Sequence, residues 1–441
     1  IGSDRAQNLT KSYKFTARLV FALAIALLSL LFAPHSIAAG KKTIWNVPVL
    51  FVTDRSPQKT TFGPRRVLEK NTVARVNSGI VELSVERYKN APLADWQKSP
   101  ANTVIPKEKP TKITEFKGLT TYDLHDEFDA ALKEALKRSP QKEVFIFVHG
   151  FNNSFDVAAT NAAHLALSTG CPVILYSWPS AAKVFRYSLD ECNNEWSQEH
   201  FNQFLEQMLV TKEATGAKFT IVAHSMGNRL FVRAIPILAG KGLFNDMYMV
   251  NPDFDAETFI HYLSRYIPTA GLRTGVKAQL LVSRKDNALS LAECLFGGYT
   301  RLGQGIDSTL SALTSPQLFG SVWKKAVPLQ AEPQAELPAP DPALISSIHH
   351  AFRMIDVTAL DYGVIGHKVP HDFISWMHFK NQTPPGFELK TEKEMRANRL
   401  SNLFARKSKQ YLESPTGEIS TVVRVDDNEE KHREKKHSGS I

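Results

Sequence analysis

Ser225 lies in a short pattern that could turn a serine hydroxyl into a nucleophile. An apolar run, Phe219 to Ala223, precedes it, and helical spacing follows from Met226 to Leu238. A serine on a sharp strand-to-helix turn needs small residues two positions before and two after it, because larger side chains would collide with neighbouring backbone. Ala223 and Gly227 meet this need. The pattern predicts a nucleophile turn, and the competing interpretation is an ordinary helix-capping serine.

A second segment could supply the groups that stabilise negative charge during acyl transfer. The apolar strand pattern from Val144 to Val148 leads directly into His149-Gly150-Phe151. In the predicted arrangement, one backbone N–H comes from this loop and one from the residue after the nucleophile. We therefore predict an oxyanion hole formed by the amides of Phe151 and Met226. His149 precedes the nucleophile in the chain, so we expect it to brace the loop rather than to act as the base.

The acid of a serine triad should follow Ser225 in the chain and lie near the end of a strand. Asp286 comes shortly after a strand pattern that ends at Val282. Asp253, in the sequence Asn-Pro-Asp-Phe-Asp after the preceding strand, is the rival candidate. Asp255 in the same sequence suits a helix N-cap. We favour Asp286 as the acid.

The base should be a histidine beyond the acid. Five of the histidines that follow Asp286 in the chain are candidates: His349, His350, His367, His371 and His378. The first two precede the predicted last strand, Phe352 to Val357, and the last two are expected to begin and end a helix. His367 follows that strand in a loop that contains glycine, which suits a side chain that must reach the serine. We favour His367, with His371 as the second choice.

Strand and helix patterns alternate around these residues. Apolar strand patterns are bounded by segments of helical spacing, and short strands that are apolar on both sides are typical of a parallel sheet covered on both faces. We predict an α/β fold, the α/β-hydrolase fold, with a mostly parallel sheet and helices on both faces. Two further strand patterns, Trp45 to Thr53 and Gly79 to Tyr88, predict an N-terminal strand-containing extension.

The N-terminus has the features of a secretory signal peptide. Basic residues precede an apolar run from Leu19 to Ala33, and small residues surround a predicted cut after Ala38. The run is shorter than the roughly 20 residues that span a bilayer comfortably. We therefore predict a signal peptide over 1–38 and export to the periplasm or the medium. The alternative is an uncleaved segment that anchors the protein in the membrane.

The remaining boundaries follow from composition. We predict the N-terminal extension over 43–115 and the catalytic domain over 116–380, with a flexible insertion at 326–342 that is rich in Pro, Ala and Glu. A C-terminal helix and a charged, disordered tail are expected over 381–441. Trp178 to Trp196 is interpreted as a lid or pocket wall. Phe185, Tyr187 and Trp196 are candidates for lining an acyl site, with ordinary packing as the alternative.

Charge and cysteine content argue against several classes. The chain has 441 residues and a formal net charge of +9, without a basic stripe interleaved with aromatic residues, so we expect no nucleic-acid partner. Its three cysteines are too few for a disulfide scaffold, and no cysteine–histidine cluster predicts a zinc site. We expect each cysteine to be packed in the interior, and we expect neither metal nor cofactor.

Several motifs together resemble a bacterial family of esterase/lipase-like α/β-hydrolases of undefined function. They are HGFNNSF from His149, YSWPS from Tyr176, AHSMGNR from Ala223, SRKDNAL from Ser283 and Gly366-His367. VPVLFVTDR from Val47 also fits, so the likeness extends from about Val47 to His378. The resemblance supports Asp286 and His367 as the matching triad positions, and it implies an esterase or lipase class without naming a substrate.

These patterns predict a serine hydrolase that cleaves carboxylic esters, small or lipid, through Ser225, His367 and Asp286 and an acyl-enzyme. Two alternatives from other classes stay open. One is a non-catalytic binding protein on the same scaffold, because a fold does not determine a function. The other is an envelope interaction protein that associates with a membrane through its N-terminal apolar segment.

Overall fold

The structure is a computed structural model of the chain. It describes residues 42–67, 76–88, 113–122, 126–139, 141–238, 241–256, 258–259, 277–295, 301–304, 352–360, 367–384, 387–391 and 419–424. The contacts divide the chain into two units, Ile1–Lys42 and Thr43–Ile441, and nearly all described residues belong to the second unit. The predicted signal peptide, the 326–342 insertion and the charged tail from Asp426 to His437 lie outside the described residues.

Eleven strands of the described ranges form one sheet, in the order β12-β13-β11-β10-β9-β8-β6-β7-β1-β4-β5. Its strands are β1 (Lys42–Thr53), β4 (Asn77–Tyr88), β5 (Ile113–Tyr122), β6 (Glu143–Val148), β7 (Val173–Ser177), β8 (Lys218–His224), β9 (Asp246–Val250), β10 (Lys277–Val282), β11 (Phe352–Asp356), β12 (Phe387–Thr391) and β13 (Ile419–Arg424). Two short strands, β2 (Arg55–Pro57) and β3 (Phe62–Arg66), pair separately.

The eight strands from β13 to β1 in this order run parallel to one another. An antiparallel hairpin, β4 and β5, extends one side of the sheet beside β1, and β12 pairs antiparallel with β13 at the other. The prediction of an α/β-hydrolase fold with a mostly parallel sheet is confirmed.

Seven α-helices are found among the described residues. They are α1 (Asp126–Arg138), α2 (Phe155–Thr169), α3 (Tyr187–Trp196), α4 (Gln198–Thr215), α5 (Gly227–Leu238), α6 (Asn287–Leu295) and α7 (His371–Lys380). None of the helices within the described ranges has both the length and the apolar character needed to cross a bilayer.

Helices cover both faces of the sheet because strand side chains alternate between them. Ile146 and Val148 of β6 pack in one buried cluster with residues of α1, α4 and α5. Phe145 and Phe147 of the same strand pack in a second cluster with α2 and α7. Central strands buried on both sides account for the continuous apolar runs in the sequence.

Three strands depart from the sequence-based predictions. β5 begins at Ile113, where no strand pattern was identified, and β12 and β13 lie in the segment expected to be a helix and a tail. The sheet therefore extends beyond the predicted domain boundary at residue 380. β12 and β13 are short, with five and six residues, and all three missed strands lie near segments rich in Pro, Lys or other charges, which obscured the strand patterns.

Cys171 and Cys192 differ in burial. Cys171 is buried with a free thiol, as expected, and burial raises its pKa to about 12. Cys192 is free but exposed, so the expectation of interior packing was wrong there. It lies on α3, the helix that follows the loop after β7 and that was not predicted as a helix.

The connections between strands reverse their direction across the sheet at β6. The chain passes from β6 to its neighbour β7 on one side and then returns to β8 on the other side of β6. In open α/β sheets, ligands bind at the carboxyl ends of the strands where the order reverses in this way. The loop after β6 and the turn after β8 meet at this point, and these are the segments with the predicted oxyanion hole and nucleophile.

The amino ends of the central strands, opposite the candidate site, contain an ionic cluster. His378 of α7 places Nε2 at 2.9 Å from Glu143 Oε1, at the start of β6, and Nδ1 at 3.7 Å from Asp246 Oδ2, at the start of β9. Thr220 Oγ1 donates to the same Glu143 oxygen at 2.7 Å. Burial disfavours the charged Glu143 carboxylate, but the hydrogen bonds from His378 and Thr220 outweigh it, and its pKa is lowered.

The cluster holds α7 to the sheet. Ligand atoms of Glu143, Asp246 and His378 lie within 4.8 Å of one another, near enough to share a cation. The histidine, however, directs Nε2 at Glu143 and Nδ1 at the Tyr248 hydroxyl, 3.3 Å away, and Asp246, whereas a metal would take only one of the two nitrogens. This geometry favours a bridge between strands β6 and β9, with α7 contributing the central group.

We expect the variant His378→Ala to lower the free energy of unfolding by about 3 kcal/mol, because it leaves the buried Glu143 carboxylate without its ionic partner. Urea unfolding followed by circular dichroism measures this loss. The matched double variant Glu143→Gln/His378→Ala has no buried charge at Glu143, so it should be more stable than His378→Ala alone. Equal stability of wild type and His378→Ala would show that the bridge does not hold α7.

Candidate active site

Ser225 lies at the end of β8 with a backbone conformation that few residues adopt. Its φ is +51°, in the left-handed region where a non-glycine residue is strained. Neighbouring backbone holds this conformation: Ser225 N–H donates to Val250 O at 2.9 Å, and Ser225 O accepts from Asn228 N at 3.1 Å and Asp253 N at 3.2 Å. The strand-to-helix turn predicted from the sequence is present.

Two glycines allow the turn and the loop after β6 to approach each other. A Cβ at Gly227 would lie 2.5 Å from His149 O, and one at Gly150 would lie 2.7 Å from Ser225 Cβ. Both distances are shorter than any real Cβ contact, and in both cases the obstructing atom is backbone or a Cβ that cannot move away. Glycine at these positions is therefore a steric requirement of the site.

The structure brings Asp286 and His367 together, although 81 positions separate them in the chain. His367 Nδ1 lies 2.5 Å from Asp286 Oδ2. The other oxygen of this carboxylate, Oδ1, accepts from Leu289 N at 2.9 Å and so caps α6. Both oxygens are engaged, and the side chain is fully buried. Asp286 is therefore held in one orientation by the helix that it caps.

His367 is also beside the nucleophile turn. Its ring centroid lies 4.8 Å from that of His224, the residue that immediately precedes Ser225. His224 is partly buried, and burial, followed by the proximity of His367 and His371, holds its pKa well below the usual histidine value. A neutral His224 places no positive charge beside the His367 imidazole, so it does not oppose protonation of that ring.

The rival residues occupy other positions. The Asp253 carboxylate accepts a hydrogen bond from the Tyr187 hydroxyl and lies 3.4 Å from an Arg229 nitrogen, so it belongs to a cluster beside the turn. Asp255 Oδ1 accepts from Thr258 N at 2.7 Å, as an N-cap does. His371 is the first residue of α7, and its ring lies 5.7 Å from that of His164.

The two backbone amides predicted as oxyanion donors lie on different segments, that of Phe151 on the loop after β6 and that of Met226 on the turn after β8. Among the described residues, no acceptor takes the backbone N–H of Phe151 or of Met226. The loop is held in shape by Asn153, whose Nδ2 donates to Gly150 O at 3.1 Å and to Phe151 O at 2.8 Å. Unoccupied amides on a braced loop are the kind of donor that can stabilise a developing oxyanion.

Of the three aromatic residues proposed to line an acyl site, only Tyr187 lies beside the loop. Its ring centroid is 5.0 Å from that of Phe151. Phe185 is 64% exposed, and its role in lining an acyl site stays a prediction. Trp196 packs instead between the Arg66 guanidinium and the His200 ring.

Sequence reasoning missed Arg55, which lies two residues after β1. Its guanidinium is fully buried, and it donates to Ser177 Oγ at 2.9 Å, Ser180 O at 3.0 Å and Asn153 O at 2.8 Å. Burial lowers its pKa to about 10, so it remains a cation at neutral pH. The only signal in the sequence is an arginine directly after a strand, which does not reveal partners about 100 positions away.

Arg55 also determines the state of His149. Its guanidinium lies 3.2 Å from His149 Nε2, which must then accept, so that Nδ1–H donates to Gly150 O at 2.8 Å. The imidazole stacks on Trp178 with centroids 4.9 Å apart. Burial and the Arg55 cation lower the pKa of His149 to about 3. His149 is thus a neutral support of the loop.

Comparison with known proteins gives one match. Residues 124–318 match the family described as alpha/beta hydrolase of unknown function (DUF900). No curated protein and no protein of solved structure matches the chain. The matched span contains the loop after β6, Ser225 and Asp286, and it ends before His367. The resemblance to an α/β-hydrolase family of undefined function, inferred from the motifs, is confirmed.

The two neutral histidines predict a dependence of stability on pH. In the unfolded chain a histidine binds a proton near its ordinary pKa of 6.5, whereas folded His149 and folded His224 bind it only at much lower pH. The stability that each neutral histidine contributes is therefore fully present above the ordinary pKa. It is lost as the pH falls towards the pKa of that histidine in the folded protein. Each histidine adds about 1.4 kcal/mol per pH unit to this slope.

Replacing His149 or His224 by Gln should flatten the slope by that amount per residue. The free energy of unfolding, measured by urea denaturation between about pH 6 and pH 4, tests this expectation. A slope that is unchanged in both variants would show that these histidines are not held neutral in the folded protein.

Proposed function

We propose that this α/β-hydrolase is a serine hydrolase that cleaves carboxylic esters, with Ser225 as nucleophile, His367 as general base and Asp286 as the acid of the triad. The observation that carries the proposal is the 2.5 Å pair between His367 Nδ1 and Asp286 Oδ2 beside the strained turn at Ser225. A buried carboxylate that orients an imidazole next to a serine is the arrangement that activates a hydroxyl.

The chemical steps follow from the orientation of His367. Because its Nδ1–H donates to Asp286, Nε2 is the nitrogen that would take the proton of Ser225 Oγ as this oxygen bonds to the ester carbonyl carbon. The tetrahedral intermediate collapses with loss of the alcohol, whose oxygen receives the proton from Nε2. Water, deprotonated by the same nitrogen, then releases the acid from the acyl-enzyme.

Negative charge on the carbonyl oxygen would be stabilised by the amides of Phe151 and Met226. The contact of Gly150 with Ser225 supports this role, because it keeps the first amide next to the nucleophile. Met226 follows the nucleophile at the N-terminal end of α5, where the helix dipole also favours negative charge. Amides that are fixed before the reaction need no reorganisation as the charge develops.

A fluorophosphonate probe should label the wild-type protein and fail to label Ser225→Ala. The reason is that the probe reacts only with a serine activated by a base, and in-gel fluorescence measures the product. Hydrolysis of p-nitrophenyl butyrate should fall by at least about 10⁴-fold in the same variant. A folded wild-type protein that neither reacts with the probe nor hydrolyses esters would favour the non-catalytic binding protein.

The rival triad residues provide matched controls. We expect Asp286→Asn to reduce kcat by about 10⁴-fold, because the amide stabilises the wrong tautomer of His367. His367→Gln should reduce it by a similar factor, whereas His371→Gln should retain most of the activity. Steady-state kinetics on a soluble ester, with circular dichroism to verify folding, test the assignment. Activity that depends on His371 and survives His367→Gln would overturn it.

A further inference from the structure

The segment 181–189, which follows β7 and enters α3, exposes apolar and basic side chains together. Phe185 is 64% exposed and Leu189 is 42% exposed. Lys183 and Arg186, on either side of the phenylalanine, are also exposed. A large aromatic side chain at the surface, bracketed by cations, differs from the usual polar loop and calls for a partner that is both apolar and anionic.

This segment, named here the 181–189 loop, consists of a short connection, a 3-10 turn at Val184–Arg186 and the first residues of α3, and hydrogen bonds fix its base. Buried Asp190 accepts from Ala181 N at 2.6 Å and from Ser180 Oγ at 2.5 Å. Asn193 Nδ2 donates to Pro179 O at 2.6 Å. The two ends of the loop are therefore tied together, and the exposed side chains are presented by a defined scaffold.

The loop lies beside the candidate active site. Tyr187, between the two exposed apolar residues, has its ring 5.0 Å from that of Phe151. Phe151 follows Gly150, which touches Ser225. All these residues lie at the carboxyl end of the sheet. Whatever the loop binds is thus brought next to the nucleophile.

The charges of the loop point to an anionic partner. The two nearest acidic residues in the chain are directed inwards: Asp190 is buried, and Glu191 Oε1 accepts from Arg229 at 2.5 Å. The outward charge of the loop is therefore that of Lys183 and Arg186. Cations that surround an apolar side chain match a lipid surface, where the aromatic ring enters the acyl boundary and the cations meet anionic headgroups.

We propose that the 181–189 loop docks this protein on an anionic phospholipid surface and so presents membrane-borne esters to Ser225. The presentation of esters rests on the proposed hydrolase function, whereas the docking does not. The side chain of Phe185 is the apolar anchor, with Leu189 beside it. Lys183 and Arg186 supply the preference for negative charge.

The full chain with Phe185→Trp tests the docking directly. Its tryptophan fluorescence should be quenched by vesicles of phosphatidylglycerol with brominated acyl chains, beyond the quenching seen for the wild type. Val210 is the matched control, because it is 63% exposed on α4, outside the loop. Val210→Trp should show no added quenching. Since both variants keep the same N-terminus, an attachment through the N-terminal apolar segment cannot produce the difference.

The double variant Lys183→Gln/Arg186→Gln tests the charge. Each cation near an anionic surface strengthens binding about fivefold, so vesicle affinity should fall about 25-fold when both are lost. The control Lys133→Gln/Arg138→Gln removes the same charge from α1 and should change affinity much less. Added salt should also weaken the binding of the wild type. Equal quenching of Phe185→Trp by phosphatidylcholine vesicles would contradict the charge-based docking.

The other outcomes separate the docking from the chemistry. Absence of added quenching at position 185 overturns the proposal and favours a protein partner for the loop. If Phe185→Ser instead raises KM only for long-chain soluble esters, without any vesicle effect, the ring serves an acyl chain and the docking is refuted. If quenching occurs but no ester is hydrolysed, the docking stands and the proposed function fails.

Discussion

The arrangement of the candidate site depends on the close contact between the loop after β6 and the turn after β8. Gly227 lies against His149 O, and Gly150 lies against Ser225, at distances that a Cβ would not permit. This contact packs the loop, which contains Phe151, against the strained turn at Ser225, so the loop and the turn form one closely packed unit. A nucleophile and its oxyanion donors are effective only when such a unit holds them in place before the reaction.

Arg55 stabilises this unit through hydrogen bonds, and it connects the N-terminal strands to the candidate site. A buried cation is costly unless hydrogen bonds replace its hydration. Here the guanidinium reaches the strand end at Ser177, the following turn at Ser180 and the loop at Asn153. These partners belong to two separate segments of the chain, so the charge can be satisfied only when both are in position. Arg55, which follows β1, thereby connects this strand to the loop after β6.

Much of this arrangement could be predicted because it depends on local patterns. Apolar runs identified the central strands, and small residues around Ser225 identified the turn. Chain order then narrowed the acid to Asp286 and the base to His367, which the structure places in contact. Arg55 could not be found in this way, since its role depends on partners that only the folded chain brings near. The same applies to β13, which is short and becomes a strand by pairing with β11.

The amino and carboxyl ends of the parallel strands have different roles. This difference explains how the backbone strain at Ser225 is tolerated. At the amino ends of the strands, His378 bridges Glu143 and Asp246 and secures α7. At the carboxyl ends, the chain adopts a strained φ at Ser225 and leaves two amides without acceptors among the described residues. Such features lower stability and persist only where the surroundings over-determine them. The central strands are apolar and buried on both faces, and their burial stabilises the fold. This stability offsets the strain at Ser225 and the two amides without acceptors.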